Sequence, residues 1–446
     1  MMKTLKLPVM VALLSAAAGA SADINFRGFG SIVGGQAISV DDGQTVLGYS
    51  DTLSFKRDSL IALQMDSDLG DRLSATMQLM SRGKNDYDVN VEWAYLTYEI
   101  NDELQLSGGR IRAPFYRYSD FLDVRYAYNW ITAPARVYSF EFPGFDGLSL
   151  LWNSSVGPVD SSLQLVAGSM DGFTGSTPIL LEDFVGVSWI GSWEWLTGRA
   201  SYLHSSVTIA ERNIESTADA YQALGEGMLG VAQGFGGVAQ AYQGAALGDR
   251  AAVYSSGFMQ TGSALVNNTD NISIEGDAGA YMAFGVSVDK GAFIADAEWI
   301  HYELDDALIP NTSAYYVTLG WRAGPTVIYG TYSREEADAN TAATSVIPDL
   351  SLVAGAIAGD AGLASALQAI PSLPDDLNAN AVGLVTTYEG LRAQLNSADV
   401  DVVNMHLGVR WDFHPSAALK VAYEVTDDRI SDIQGGLFRT AIDFVF

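Results

Sequence analysis

The densest concentration of side chains able to do chemistry lies between residues 112 and 146. Arg112, Arg117, Asp120, Asp123, Arg125 and Arg136 are interleaved there with Tyr116, Tyr118, Tyr126, Tyr128 and Trp130. Charges of both signs among aromatic rings suit electrostatic sorting and amphipathic contact, not bond making. The groups that covalent chemistry needs are scarce in the rest of the chain. No cysteine is present, which removes thiol nucleophiles, thiolate metal sites and disulfides. His204, His301, His406 and His414 have no HExxH spacing for zinc, and no GxSxG supports an esterase. Gly28-Phe29-Gly30 followed by Gly34 lacks the full GxGxxG spacing of a dinucleotide loop. The acidic pairs Asp41-Asp42 and Asp427-Asp428 lie outside any EF-hand pattern. No cofactor is therefore expected, a Ca²⁺ or other divalent cation at those acidic loops being the alternative.

Composition narrows the setting. Of 446 residues, 48% are apolar and only 17% charged, too apolar for a disordered chain. The 24 basic residues face 53 acidic ones, which argues against nucleic acid as a partner. Residues 1–22 read as an export signal: Lys3 and Lys6, an apolar run from Leu7 to Ala18, then Ala20-Ser21-Ala22 as cleavage site. Cleavage near Ala22 leaves 22 basic and 53 acidic residues, a formal charge of −31. Nothing downstream offers the ~20 unbroken apolar residues that a transmembrane helix requires.

The elements that must hold the charged segment are strands. Phe438, Thr440, Ile442, Phe444 and Phe446 alternate with Arg439, Ala441 and Asp443; Met405, Leu407, Val409, Trp411 and Phe413 alternate with Asn404, His406, Arg410 and Asp412. Several such runs reach 11 residues or more, the length a tilted strand needs to cross a bilayer. Counting them predicts about sixteen strands. These are 24–34, 55–66, 71–82, 88–100, 103–111, 147–154, 160–168, 183–192, 196–208, 276–288, 291–303, 312–321, 325–333, 400–413, 416–427 and 435–446. Links after even strands are short and links after odd strands are mostly long, the rhythm of a transmembrane barrel. Trp193, Trp195, Trp411, Phe413 and Phe446 cluster at the short-turn ends, where an aromatic girdle would meet lipid headgroups.

With that rhythm, the signal, the long third loop and the final run Leu437-Phe438-Arg439-Thr440-Ala441-Ile442-Asp443-Phe444-Val445-Phe446, the chain resembles Gram-negative porins across most of its mature length. The resemblance implies an all-β, transmembrane antiparallel barrel with short periplasmic turns and long extracellular loops carrying some helix. It implies a non-enzymatic outer-membrane pore for passive diffusion of small hydrophilic solutes and ions. It also implies a homotrimer among lipid and lipopolysaccharide, whose last strand, ending at Phe446, meets the barrel-assembly machinery. In porins the third loop narrows the lumen, which here makes Arg110, Arg112, Arg117, Asp120, Asp123 and Arg125 the expected constriction. The alternative is a solvated loop whose charges pair among themselves. Strand parity adds Arg72, Gln78, Glu92, Asp296, Glu298, Arg322, His406, Arg410, Lys420, Glu424, Arg439 and Asp443 as lumen-lining positions. Opposite signs recur among them, so most are expected to be structural pairs.

Residues 23–446 thus read as one barrel domain with third loop 112–146 and insertions 209–275 and 334–399. Ala and Leu at three- and four-residue spacing suggest short helices in the insertions, with partly ordered loops the alternative for the Gly-rich first one. Three functions compete: a general diffusion pore, a substrate-specific channel with a Tyr- and Trp-lined constriction, and a barrel plugged by its insertions that serves as adhesin or anchor.

Overall fold

The computed structural model describes residues 23–446 apart from 39–43, 140–143, 175–176, 210–211, 268–273, 306–309, 339–376, 396–398 and 431–432. The export signal, Asp41-Asp42 and the Ala- and Leu-rich stretch 350–370 lie outside the described residues.

Alternating sequence becomes sixteen strands: β1 (Ile24–Ile38), β2 (Leu60–Gly70), β3 (Leu73–Arg82), β4 (Val89–Glu99), β5 (Leu104–Ile111), β6 (Phe145–Val156), β7 (Val159–Thr174), β8 (Thr177–Trp193), β9 (Leu196–Ile209), β10 (Ile274–Lys290), β11 (Phe293–Leu304), β12 (Asn311–Ala323), β13 (Thr326–Asp338), β14 (Val400–His414), β15 (Ala417–Asp428) and β16 (Ile433–Val445). Each pairs antiparallel with its sequence neighbours, and β1 closes on β16 to complete the barrel. Closure leaves no unpaired edge, which a strand in lipid cannot tolerate. Every expected strand is present. The largest displacements are at β7, which runs on to Thr174 and not 168, and β8, which begins at Thr177 and not 183; β2 begins at Leu60 and not at residue 55, because Phe55 to Asp58 belong to the first loop.

One face of each strand is apolar and exposed: Met77, Leu96, Leu148, Leu165, Val317 and Leu407 all point away from the lumen. The aromatic residues at the short-turn end are exposed on the same surface, with Trp193, Trp411 and Phe446 between 43% and 65% accessible. At the seam between β1 and β16 the rings of Phe444 and Phe446 lie flat on Gly30 and Gly28. A Cβ on Gly28 would sit 2.2 Å from the Phe446 ring, so glycine is what lets the seam pack.

Two of the long connections carry helices: α1 (Arg212–Ala241) and α2 (Ala246–Asn267) between β9 and β10, and α3 (Leu377–Leu395) between β13 and β14. They are longer than the short helices expected, and the first insertion is helical despite its glycines. The reason is a core of their own. Tyr221, Met228, Phe235, Phe258, Val385 and Tyr388 are buried together, joining the two insertions in one helical bundle. Six glycines in α1 each cost about 1 kcal/mol of helix propensity. Close packing offsets this, as where a Cβ on Gly225 would stand 2.9 Å from the Gly262 carbonyl on α2.

Candidate functional site

Alternation stops at Ile111, and the chain that follows turns into the barrel, where residues 112–139 pack against the inner wall. Two single-turn 3₁₀ segments, Ser119–Phe121 and Arg125–Ala127, shape it. Phe115, Tyr116, Tyr118, Tyr128 and Trp130 are buried in one cluster with Phe184, Tyr281, Tyr316 and Tyr329 of the wall. Edge-on ring pairs knit the cluster: Trp130–Tyr316 at 5.3 Å, Tyr118–Trp130 at 5.4 Å and Phe115–Tyr281 at 5.1 Å.

Polar bonds then fix the loop strand by strand. Against β9 and β10, Arg199 donates to the Pro114 carbonyl at 2.7 Å and Tyr281 to the Phe115 carbonyl at 3.1 Å. On β11, Tyr118 donates to Asp296, while Glu298 accepts the Arg117 amide at 2.7 Å and the Tyr138 hydroxyl at 2.5 Å. On β13, Trp130 donates to Thr331 at 2.9 Å and Arg136 pairs with Glu335 at 3.3 Å. Further round, Arg410 donates to the Tyr128 carbonyl at 2.9 Å. Lys420, wholly buried, pairs with Asp443 at 2.7 Å and donates to the carbonyls of Arg125 and Trp130 at 2.7 and 2.6 Å.

A second knot joins the first loop. Asp58 accepts from Tyr49 at 2.9 Å and from Arg439 at 3.1 Å, and Arg439 reaches both Thr132 and Glu424. Burial would raise the Asp58 carboxyl, but the charges of Arg439 and Arg125 outweigh it and hold the group below its ordinary value. On the opposite flank Asp123 bridges Arg82 at 3.1 Å and Arg112 at 2.8 Å, and Arg82 also pairs with Glu92. Burial again pushes Asp123 upward, and the two guanidinium groups overcome it, keeping the carboxyl well below the usual carboxylate range. Burial raises the Tyr118 and Tyr138 hydroxyls, so both are neutral donors.

The expected constriction residues therefore part company. Arg112, Arg117, Asp123 and Arg125 are all engaged: Arg117 with Ser287 and, at 4.0 Å, Asp296; Arg125 with the Asp58 carbonyl. Asp120 is exposed, with no hydrogen bond or ion pair among the described residues. Arg110 departs from expectation. It shares the outer face with Leu106 and Leu148 by strand parity, and pairs there with Asp146 at 3.0 Å and Asp171 at 3.1 Å. Its proximity to the loop in sequence hid the fact that β5 was still alternating.

Among the expected lining residues, Gln78, Glu92, Asp296, Glu298, His406, Lys420, Glu424, Arg439 and Asp443 are buried on the inner wall, and Arg410 is nearly so. Two fall elsewhere. Arg72 occupies the turn after β2, with φ of 65°, and donates to the Ile100 carbonyl at 3.0 Å. Arg322 lies at the short-turn rim, paired with Asp289 at 2.8 Å. Asp427 and Asp428 are occupied by Gln434 and the Ile430 amide, and no group of three His, Asp or Glu among the described residues could hold a metal ion.

On the wall facing the loop tip, Arg27, Gln64 and Asp66 were not singled out from sequence. Arg27 pairs with Asp66 at 2.6 Å, and Gln64 and Thr76 bond the same carboxylate at 3.0 Å. Tyr95 stands near enough to feel Asp66, Asp120 and Arg27. The parity that exposes Ile24 and Phe26 puts Arg27 inside; that signal was available in β1.

No protein-family model and no curated protein sequence matches the chain. Solved structures do. The outer membrane channel DcaP of Acinetobacter baumannii matches with a TM-score of 0.51 and 11% identity, over 96% of this chain and 99% of that one. A loop L8 deletion mutant of OmpT, an outer membrane protein of Vibrio cholerae, matches at 0.50 and 10%, over 96% and 100%. OmpF of Salmonella typhi, in complex with daunomycin, matches at 0.50 and 10%, over 96% and 99%. At such identities the likeness is one of architecture, and what it establishes is that this chain has the sixteen-stranded porin fold.

Proposed function

We propose that the protein is an outer-membrane channel, without covalent chemistry, through which small hydrophilic solutes diffuse down their gradients. The observation that carries this reading is the third loop inside the barrel with its arginines compensated and Asp120 left exposed in the lumen. A fixed unpaired carboxylate in a narrow water-filled passage concentrates cations, as does a formal charge of −31 on the chain without residues 1–22. Export through residues 1–22, assembly through the Phe446 strand, contact with lipid and lipopolysaccharide, and a homotrimeric state complete the reading.

Planar bilayers under a KCl gradient test it. Stepwise conductance with a reversal potential on the cation side is expected, moving toward zero in Asp120→Asn. Folded barrels that give no steps would sink the channel; steps with anion preference would sink the role of Asp120. Among the described residues, the accessible area that Thr97, Ser107 and Gln164 keep on the inner surface of β4 to β7 supports a channel over the plugged-barrel alternative.

A further inference from the structure

The lumen has two chemically different walls. From β9 to β16 the inward side chains are buried beneath the third loop and carry most of the interior charge, including Asp296, Glu298, Lys420, Glu424, Arg439 and Asp443. On β4 to β7 the loop covers Glu92, Ile111, Phe145, Val166 and Met170 and leaves open the surface nearer the short turns, whose middle is neutral. The inward positions there include Thr97, Ser107, Ser149, Asn153, Ser162 and Gln164, opposite the outward Leu96, Leu148, Trp152 and Leu165.

These six groups are bonded in cross-strand pairs: Thr97 with Ser107 at 2.8 Å, Gln164 to Ser149 at 2.9 Å and Ser162 to Asn153 at 2.6 Å. Each hydroxyl or amide spends one bond on its partner and keeps further donor or acceptor capacity. All but Ser149 retain accessible area. Beside this surface Tyr95 on β4 and Phe121 of the loop each pack against the buried cluster with their rings only partly covered. Neutral hydrogen-bonding groups with partly exposed aromatic rings beside them match a solute that carries many hydroxyls, no charge, and C–H faces.

We infer that the open wall from β4 to β7 is a solute track selective for uncharged, polyhydroxylated molecules of the saccharide class. Such a solute exchanges its water for the wall's hydroxyls and amides without stripping an ion of hydration, so it gains contacts at little cost. A charged solute gains no counter-charge from this surface. The inference rests on the channel reading above and narrows it.

The test uses the full-length protein in proteoliposomes, measuring entry of glucose, gluconate and glucosamine, which differ in charge at nearly equal size. Glucose is expected to enter several-fold faster than gluconate. In Thr97→Val/Ser149→Ala/Gln164→Leu it should slow several-fold, a much larger loss than that of KCl conductance, which is retained. Asp120→Asn should slow glucosamine and leave glucose alone. Retained conductance in the triple variant certifies its folding, and Thr97→Val alone, which keeps the side-chain shape, provides a milder second reading. Glucose entry unaffected by either variant, or entry of all three solutes at one rate, would overturn the track while leaving the channel intact. A protein without conductance would fail at the earlier reading instead.

Discussion

The two walls of the lumen are built from the same alternating strands and end in different energetic states. Under the third loop, charges are removed from water and each is answered by a partner: Lys420 by Asp443, Arg439 by Asp58 and Glu424. On the open wall, hydroxyls and amides of β4 to β7 answer one another and also meet water. A buried charge that loses its partner is costly, whereas an exposed hydroxyl that loses one simply turns to solvent. The covered wall is therefore scaffold, held rigid by high-stakes pairs. On the proposed reading, permeation belongs to the open wall because its groups are free to trade partners.

The sharpest way to break this contrast is to uncouple Lys420. Lys420→Met leaves Asp443 buried without its cation and should destabilise the barrel by about 3–5 kcal/mol. The measurement is the temperature at which the folded band disappears in detergent gels. Lys420→Met/Asp443→Leu should recover most of that loss, since an apolar pair of similar volume is tolerated. Neither variant restores the donations to the Arg125 and Trp130 carbonyls. Both should then show a noisier, larger conductance than the parent, a loop signature separable from barrel stability.

Acid probes the other flank. Asp123 is held below its ordinary value, so its anchoring is fully present above the unfolded value of about 3.9 and is lost only as pH falls through the lower folded value. The contribution of this knot, read as the difference in single-channel conductance between the parent and Arg112→Gln on acidification, should appear below the pH at which the variant's Asp123 protonates and while the parent's is still charged. In Arg112→Gln one of the two compensating cations is gone, and the change should begin at a higher pH. Parent and Arg112→Gln channels that respond to acid identically would show that the knot of Arg82, Arg112 and Asp123 does not hold the loop. Asp120→Asn comes next in size: losing one unit charge near the passage is worth about 1 kcal/mol, a several-fold drop in cation preference read from the reversal potential.

How much of this was legible follows from the range of each interaction. Strand parity is local, so Phe438 to Phe446 declared its two faces, and the length of 112–146 with its resemblance pointed to the lumen. The partners of that loop are not local. Asp58 is bound to Arg439 across 381 positions and Tyr118 to Asp296 across 178, and no spacing in the chain announces either. Arg110 was misread because its neighbours in sequence belong to the loop while its own backbone still belongs to β5. Glycines hid α1 in the same way: local propensity argues against a helix there, and the contacts of Phe235 and Met228 with α2 and α3 override it.

The finest discrimination comes from making one substitution on both walls. Thr331→Val removes a hydroxyl that accepts from the Trp130 indole at 2.9 Å and pairs with Thr318 at 2.8 Å. The buried indole N–H then has no acceptor, and the cost should be about 1–3 kcal/mol. Thr97→Val removes a hydroxyl bonded to Ser107 at 2.8 Å, but there water takes its place, and the change should stay within about 0.5 kcal/mol. Unfolding in urea, with the two variants run beside the parent, reads both. Equal costs would mean that water does not reach the wall from β4 to β7, and a wall that water does not reach carries no solute. A large cost at Thr331 with almost none at Thr97 is what a sealed scaffold opposite a wet track requires.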